Sequence, residues 1–133
     1  MEQLFKRNFE ELSHIVKMTE LFFQQEGLES HLRHVVDLAI EELFVNMVTY
    51  NTETNQDILV QMVPHENGIE VSLTDFDVER FDPMVAGSVN VGTPLDDRTP
   101  GGLGLYLVLK MVDSIHYEYR NRQSRITFIV DSK

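Results

Sequence analysis

The chain contains no cysteine, which excludes disulfides, thiolate metal sites and a cysteine nucleophile. It has no apolar run long enough to cross a bilayer. Its first residues, MEQLFKRNFEELSH, lack the apolar core and cleavage site of a secretory signal, so a cytoplasmic protein is the expectation. Positive charge is scarce, with 11 Lys and Arg against 22 Asp and Glu, a formal net charge of −11. Nucleic acids and anionic membranes are held by Lys and Arg that neutralise phosphates, so this balance argues against direct binding to either. It also constrains any anionic ligand, such as a nucleotide. That ligand has to be held by backbone N–H groups, a metal ion or a few placed cations.

What is present suits a globular protein. At 133 residues, 42% of them hydrophobic, residues 1–133 are expected to form a single domain with a real core. Residues 3–9 read as a short edge strand. Leu12, Ile15, Val16, Leu21, Phe22 and Phe23 mark an amphipathic helix that ends near Gly27, where glycine supplies a left-handed stop. Ser30 is placed to cap a second helix, with Glu29 favouring its dipole. Residues 58–63 and 69–74 alternate in polarity around an Asn67-Gly68 turn and predict an antiparallel hairpin that runs into Asp75. Residues 76–102 hold three of the four prolines and have no period, which predicts a long functional loop. An apolar helix over 105–112 follows, then a second hairpin, 114–120 and 124–131, turning at residues 121–123. Hairpins with helices gathered between them predict an α+β, two-layer α/β sandwich with helices on one sheet face.

The second helix carries the first chemical signal. Residues 32–50 contain no Gly or Pro. At ~100° per residue, Ile40, Leu43, Phe44 and Met47 share a core-facing side. Arg33, Asp37 and Glu41 form a solvated stripe. Glu42 and Asn46 lie off that stripe, one turn apart, continuing the line of Val35, Leu38 and Ala39. Polar groups on an apolar strip need a partner, because burying them unpaired is costly. The competing explanation is a helix end emerging into water.

Gly101, Gly102 and Gly104 form the second signal, at a loop-to-helix junction. Glycine lets the backbone approach a ligand closely, and a helix N-terminus presents free N–H groups to an anion. The competing explanation is a flexible hinge. No Gly-Lys-Ser/Thr follows, so this is not a Walker loop. Asp75, at a strand end, suits an exocyclic amine because an ionised carboxylate only accepts hydrogen bonds. Asp is equally common there as a turn residue. Thr127 places a hydroxyl on an otherwise apolar alternating strand. His31 and His34 stand one turn apart, without an evident third ligand for a metal.

In this order the residues resemble the GHKL (histidine kinase-like) ATPase superfamily, whose members share the Bergerat ATP-binding fold. Glu42…Asn46 is similar to its E-x-x-x-N box. Asp75 with Phe81-Asp82-Pro83 is similar to its D-x-G…P-F-D-P box. Gly101-Gly102-Leu103-Gly104-Leu105 is similar to its second glycine box, and Arg125-Ile126-Thr127 to its closing strand. The resemblance covers nearly the whole chain. GLGLYLVLKMVDSIHYEY looks most like the anti-sigma factor serine kinases of bacterial partner-switching systems.

The resemblance implies a mixed, mostly antiparallel sheet with helices on one face, and ATP with Mg²⁺. Asn46 would hold the Mg²⁺, Glu42 would be the general base, and Asp75 would bind the adenine amine with Thr127 nearby. Gly101, Gly102 and Gly104 would close on the phosphates. Residues 84–100 would form a lid, with Arg98 as a phosphate cation or partner contact. The implied partners are a STAS-domain antagonist, a sigma factor or other regulator, and a second copy of the chain. Two other functions stay open, namely a non-catalytic partner-binding module of the same fold and simple ATP hydrolysis. One departure bears on them. The family places glycine two residues after the adenine-binding Asp, whereas here Asp77 brings a side chain and a charge. Arg80 also replaces a usual proline, and Phe81 falls one residue late.

Overall fold

A computed structural model describes residues 1–79 and 102–132, and of residues 102–105 the backbone alone. Five strands form one sheet: β1 (Glu2–Phe5), β2 (Ile58–His65), β3 (Gly68–Phe76), β4 (Ser114–Arg120) and β5 (Gln123–Asp131). Their spatial order is β1-β2-β3-β5-β4. Every pairing among the described residues is antiparallel, in keeping with the mostly antiparallel sheet that the resemblance implied. The helices are α1 (Leu12–Glu26), α2 (His31–Tyr50) and α3 (Gly102–Met111), with a short 3₁₀ turn at Phe9–Glu11. This is the expected α+β arrangement.

Period-two alternation decides which sheet face is buried. Ile58, Val60 and Met62 on β2, Ile69, Val71 and Leu73 on β3, and Ile126, Phe128 and Val130 on β5 all point into one core. From the helices, Ile15, Met18, Phe22 and Phe23 of α1 and Val36, Ile40, Leu43 and Phe44 of α2 fill the same core. Each such side chain contributes about 1.5–3 kcal/mol by leaving water. The other sheet face carries Glu70, Arg125, Thr127, His116 and Glu118, polar residues that keep it wet.

The local signals hold in some places and are overridden in others. Gly27 ends α1 in the left-handed conformation (φ 65°), its N–H bonded to the Phe23 carbonyl. Ser30 occupies the N-cap position of α2, but its backbone is already helical (φ −63°, ψ −25°) and its side chain makes no cap. A capping hydroxyl needs an extended backbone at that residue. The first hairpin turns at Glu66-Asn67 rather than at Asn67-Gly68, because His65 pairs with Gly68. Gly68 answers a different need. A Cβ there would lie 2.0 Å from the Val130 carbonyl oxygen, so only glycine lets β5 pass. The second turn is two residues, Asn121 and Arg122, both with positive φ (53° and 62°), the geometry that matches strand twist. Residues 102–104 are already helical, so the glycine run lies in α3's first turn and not wholly before it.

Between β1 and α1 the chain makes a tight turn that matters below. The Glu11 N–H donates to Asn8 Oδ1 at 3.2 Å, and the Lys6 N–H donates to Glu11 Oε2 at 2.9 Å. That bond, with a second from His14, holds the Glu11 carboxyl below the usual range. Its effect is to fix residues 6–8 beneath the end of α2, with the half-buried Arg7 between them.

Candidate functional site

α2 lies across β3 and β5, and α3 packs beside it. The last turns of α2 therefore face the first residues of β5, and a narrow cavity opens between them. Leu43, Asn46, Met47, Asn51, Tyr117, Ser124 and Ile126 line it. Asn46 is 3% exposed, so it is not a helix-end residue emerging into water. Its Nδ2 is buried without a hydrogen-bond partner. A buried amide donor left unsatisfied costs about 1–3 kcal/mol, which makes it a group awaiting a ligand or a water.

Glu42 sits one turn earlier and is half-buried. Burial, and secondarily the adjacent charge of Glu41, raise its carboxyl above the ordinary glutamate value. A carboxylate raised in this way is a stronger base than an ordinary one, which suits proton abstraction. Along α2 the polar stripe behaves as ordinary surface, with Arg33 Nε 3.0 Å from Asp37. His31 pairs with Glu29 at 3.1 Å, both exposed.

The end of β3 is built differently. Asp75 is fully buried at the end of β3, where its neighbour on β5 is Ser124. Its carboxylate is already engaged. Arg7 Nη1 donates to Oδ1, Arg7 Nη2 to Oδ2 at 3.2 Å, and Asn51 Nδ2 to Oδ2 at 2.5 Å. The same Arg7 Nη2 also donates to the carbonyls of Met47 (2.8 Å) and Asn51 (2.9 Å). Those are carbonyls at the C-terminal end of α2, where a cation is favoured. Arg7 thus ties β1, α2 and β3 together through a buried ion pair.

Asp77 stands in a backbone conformation that glycine adopts readily. Its φ is 56°, in the left-handed region where Asp is one of the few tolerated residues. The exposed side chain turns to Arg122, with Nε at 2.9 Å. The following segment is pinned as well, since the Val78 N–H donates to the Arg122 carbonyl (3.0 Å) and the Tyr119 hydroxyl to the Val78 carbonyl (2.7 Å). The charge feared at this position faces a partner in the β4–β5 turn.

Thr127 does not join the site. Ile126 and Phe128 face the core, so Thr127 points to the opposite face, its Oγ1 2.9 Å from Ser72 Oγ. Ser124 shares the parity of Ile126, lies opposite Asp75, and is the buried hydroxyl that lines the cavity. Counting by twos from Ile126 finds Ser124 in the sequence. Arg7 and Asn51 carried no comparable signal, since Arg7 lies 68 residues from Asp75 in sequence. Gly102 and Gly104 stand in the first turn of α3, whose later residue Val108 enters the core. Phe81-Asp82-Pro83, Arg80, residues 84–100 with Arg98, and Gly101 lie outside the described residues.

The chain matches the histidine kinase-like ATPase domain family over residues 5–130, and it belongs to that family. No curated protein matches it closely enough to count as a relative. Among the described residues, no helix is long and apolar enough to cross a membrane. On the α2 side the residues fit the family's ligand. Asn46 offers a carboxamide and Glu42 a carboxylate, oxygen donors of the kind a hard divalent cation takes. At the end of β3, the Asp75 carboxylate already accepts three bonds from Arg7 and Asn51.

Proposed function

We propose that the chain is an ATP-dependent serine-protein kinase of the anti-sigma type, acting on a small STAS-domain antagonist. The observation that carries this is the pairing, on one helix, of a buried Asn46 donor without a partner and a Glu42 carboxylate whose basicity is raised. The unpartnered Asn46 Nδ2 is a donor that could meet a phosphate oxygen, and the Glu42 carboxylate could accept a proton. The oxygen of Asn46 would hold Mg²⁺, which when bound neutralises charge on the phosphates. Glu42 would take the proton of the attacking seryl hydroxyl as its oxygen bonds to the γ-phosphorus. The bond to the bridging oxygen breaks, and ADP departs with the electron pair. The first turn of α3 would meet the phosphates with backbone N–H groups, which suits a protein of net charge −11.

The regulatory part rests on the resemblance of the α3 region to anti-sigma kinases. Phosphorylation adds about −2 to the antagonist and rearranges its docking surface. In the unphosphorylated cycle the chain would instead hold a sigma factor or another regulator. A homodimer and a cytoplasmic location accompany this reading. A second reading is a non-catalytic partner-binding module, and the observation that favours it is the occupied Asp75.

Labelled phosphate transfer separates these functions. The kinase reading expects label from the γ-position of ATP to appear on a seryl residue of an antagonist domain encoded nearby. It also expects Glu42→Ala to bind nucleotide yet lose transfer. Normal transfer by Glu42→Ala removes Glu42 as the base. Binding of a partner with no transfer at all points to the second reading, and phosphate release without an antagonist points to simple hydrolysis.

A further inference from the structure

The register of the sheet sets three residues in one row across β2, β3 and β5. His65 stands opposite Gly68, and Gly68 stands opposite Asp131. Their neighbours Ile69 and Val130 face the core, so by strand alternation the row belongs to the outer face. Residues two strands apart are separated by about 9.5 Å between Cα atoms and by the side chain on the strand between them. Here that side chain is absent. A Cβ on Gly68 would lie 2.7 Å from Asp131 Oδ1, in the space that the carboxylate uses. Across the glycine, His65 Nδ1 meets the carboxylate, 2.9 Å from Oδ2 and 3.2 Å from Oδ1.

A third group joins them. Glu66, in the β2–β3 turn, holds a left-handed backbone (φ 48°). One oxygen of its carboxylate lies within 4.8 Å of the facing atoms of His65 and Asp131. Two carboxylates against one imidazole keep a net negative charge whether or not the ring is protonated. The set is also braced from outside. The Asp131 N–H donates to Asp113 Oδ2 at 2.8 Å, and the Ser132 N–H to the Asn67 carbonyl at 3.4 Å. Two ligand atoms each about 2.1 Å from one ion stand roughly 3.0–3.4 Å apart, close to the His65–Asp131 spacing. Glu66 is exposed and closes the remaining distance by turning about its own side-chain bonds.

We propose that His65, Glu66 and Asp131 form a binding site for a divalent transition-metal ion such as zinc, which staples β2, the hairpin turn and β5 together. An imidazole nitrogen beside carboxylate oxygens selects such an ion over magnesium or calcium, which prefer oxygen alone. On loading, the ring presents its Nδ1 lone pair and keeps one proton on Nε2, and the proton shared with Asp131 is displaced. Water completes the coordination, since three protein ligands leave positions open. Ser124, which lines the candidate nucleotide cavity, and Asp131 stand near opposite ends of β5, about 23 Å apart by strand rise. The metal site is therefore separate from that cavity and independent of whether the chain binds nucleotide.

Calorimetry with zinc chloride at neutral pH, on the full chain without nucleotide, tests the proposal. The wild type is expected to take up one zinc ion per chain, and His65→Ala, Glu66→Gln and Asp131→Asn each to bind it about tenfold or more weakly. Zinc should also raise the thermal unfolding midpoint of the wild type and leave that of Asp131→Asn in place. His31→Ala, which alters an exposed imidazole elsewhere, should bind zinc as the wild type does. A wild type that takes up no zinc overturns the proposal. So does uptake that survives unchanged in Glu66→Gln and Asp131→Asn, or uptake that is lost in His31→Ala. If His65→Ala does not fold, the exposed Glu66→Gln, which keeps the size of the side chain, decides.

Discussion

Two regions next to the cavity, the α2 turn at Glu42–Asn46 and the end of β3 at Asp75, carry similar polar residues and treat them in opposite ways. On α2, Asn46 is buried with an unsatisfied donor and Glu42 is half-buried with a raised carboxyl. Across from it, Asp75 is more deeply buried than either, yet it is bonded by Arg7 and Asn51. Burial therefore does not by itself mark a binding residue. What distinguishes the two sides is whether the chain satisfies its own buried groups. A satisfied carboxylate stabilises the fold, whereas an unsatisfied carboxamide lowers stability until something binds.

The sharpest way to break this contrast is to remove one member of the ion pair. Arg7→Ala or Asp75→Ala is expected to destabilise by about 3–5 kcal/mol, read by urea unfolding, since either leaves a buried charge without its partner. The double variant Arg7→Met/Asp75→Leu should recover most of that loss. If either single variant unfolds at the wild-type midpoint, the pair is not structural.

Glu42→Gln probes the other side. Phosphate transfer should fall about 10²–10⁴-fold, the usual contribution of a positioned base, with nucleotide binding retained. Stability should move the other way. A carboxyl whose folded pKa is raised is penalised when ionised, so its contribution is fully present below the unfolded value and is lost as pH rises through the folded one. The variant should therefore match wild type in acid and be slightly more stable than it at neutral pH. Thermal melts across pH 4–8 read this, at about the unperturbed Glu pKa and upward.

Smaller effects sharpen the picture further. Asp77→Gly is expected to change stability by less than about 1 kcal/mol, because relief of the left-handed backbone offsets the loss of an exposed ion pair and the added chain entropy. Thermal unfolding measures it, and a large loss would show that Asp77 does more than occupy a glycine's place. Smallest of all, Thr127→Val should leave nucleotide affinity unchanged, since that side chain lies on the far sheet face beside Ser72.

The pattern of what could be read from the sequence follows from the range of each signal. Helix periodicity around Ile40–Met47 and strand alternation in β2, β3 and β5 are short-range, and they produced the α+β layers and the inward face correctly. The Glu42–Asn46 spacing is equally local, and burial of Asn46 resolved the alternative of a solvated helix end. Gly27 acted as its sequence suggested. Gly68 did not, because its requirement comes from β5, some 60 residues later in the chain by the register Gly68↔Asp131. Thr127 was misplaced through parity alone. Its hydroxyl drew notice on an apolar strand, while Ser124, two residues before Ile126, had the correct face. Arg7 was invisible for a physical reason, since no local pattern predicts which buried carboxylate a distant arginine will reach. The same limit of range hid the partner of Asp77, which is Arg122 in the β4–β5 turn.

The central claim is that the unsatisfied Asn46, and not the buried Asp75, marks the working side of the site. Calorimetry of Mg-ATP binding to wild type and to Asn46→Ala tests it most directly. Measurable binding by the wild type, weakened about tenfold or more in Asn46→Ala, is the result expected. Absence of binding by the wild type, or equal affinity in the two proteins, would contradict it.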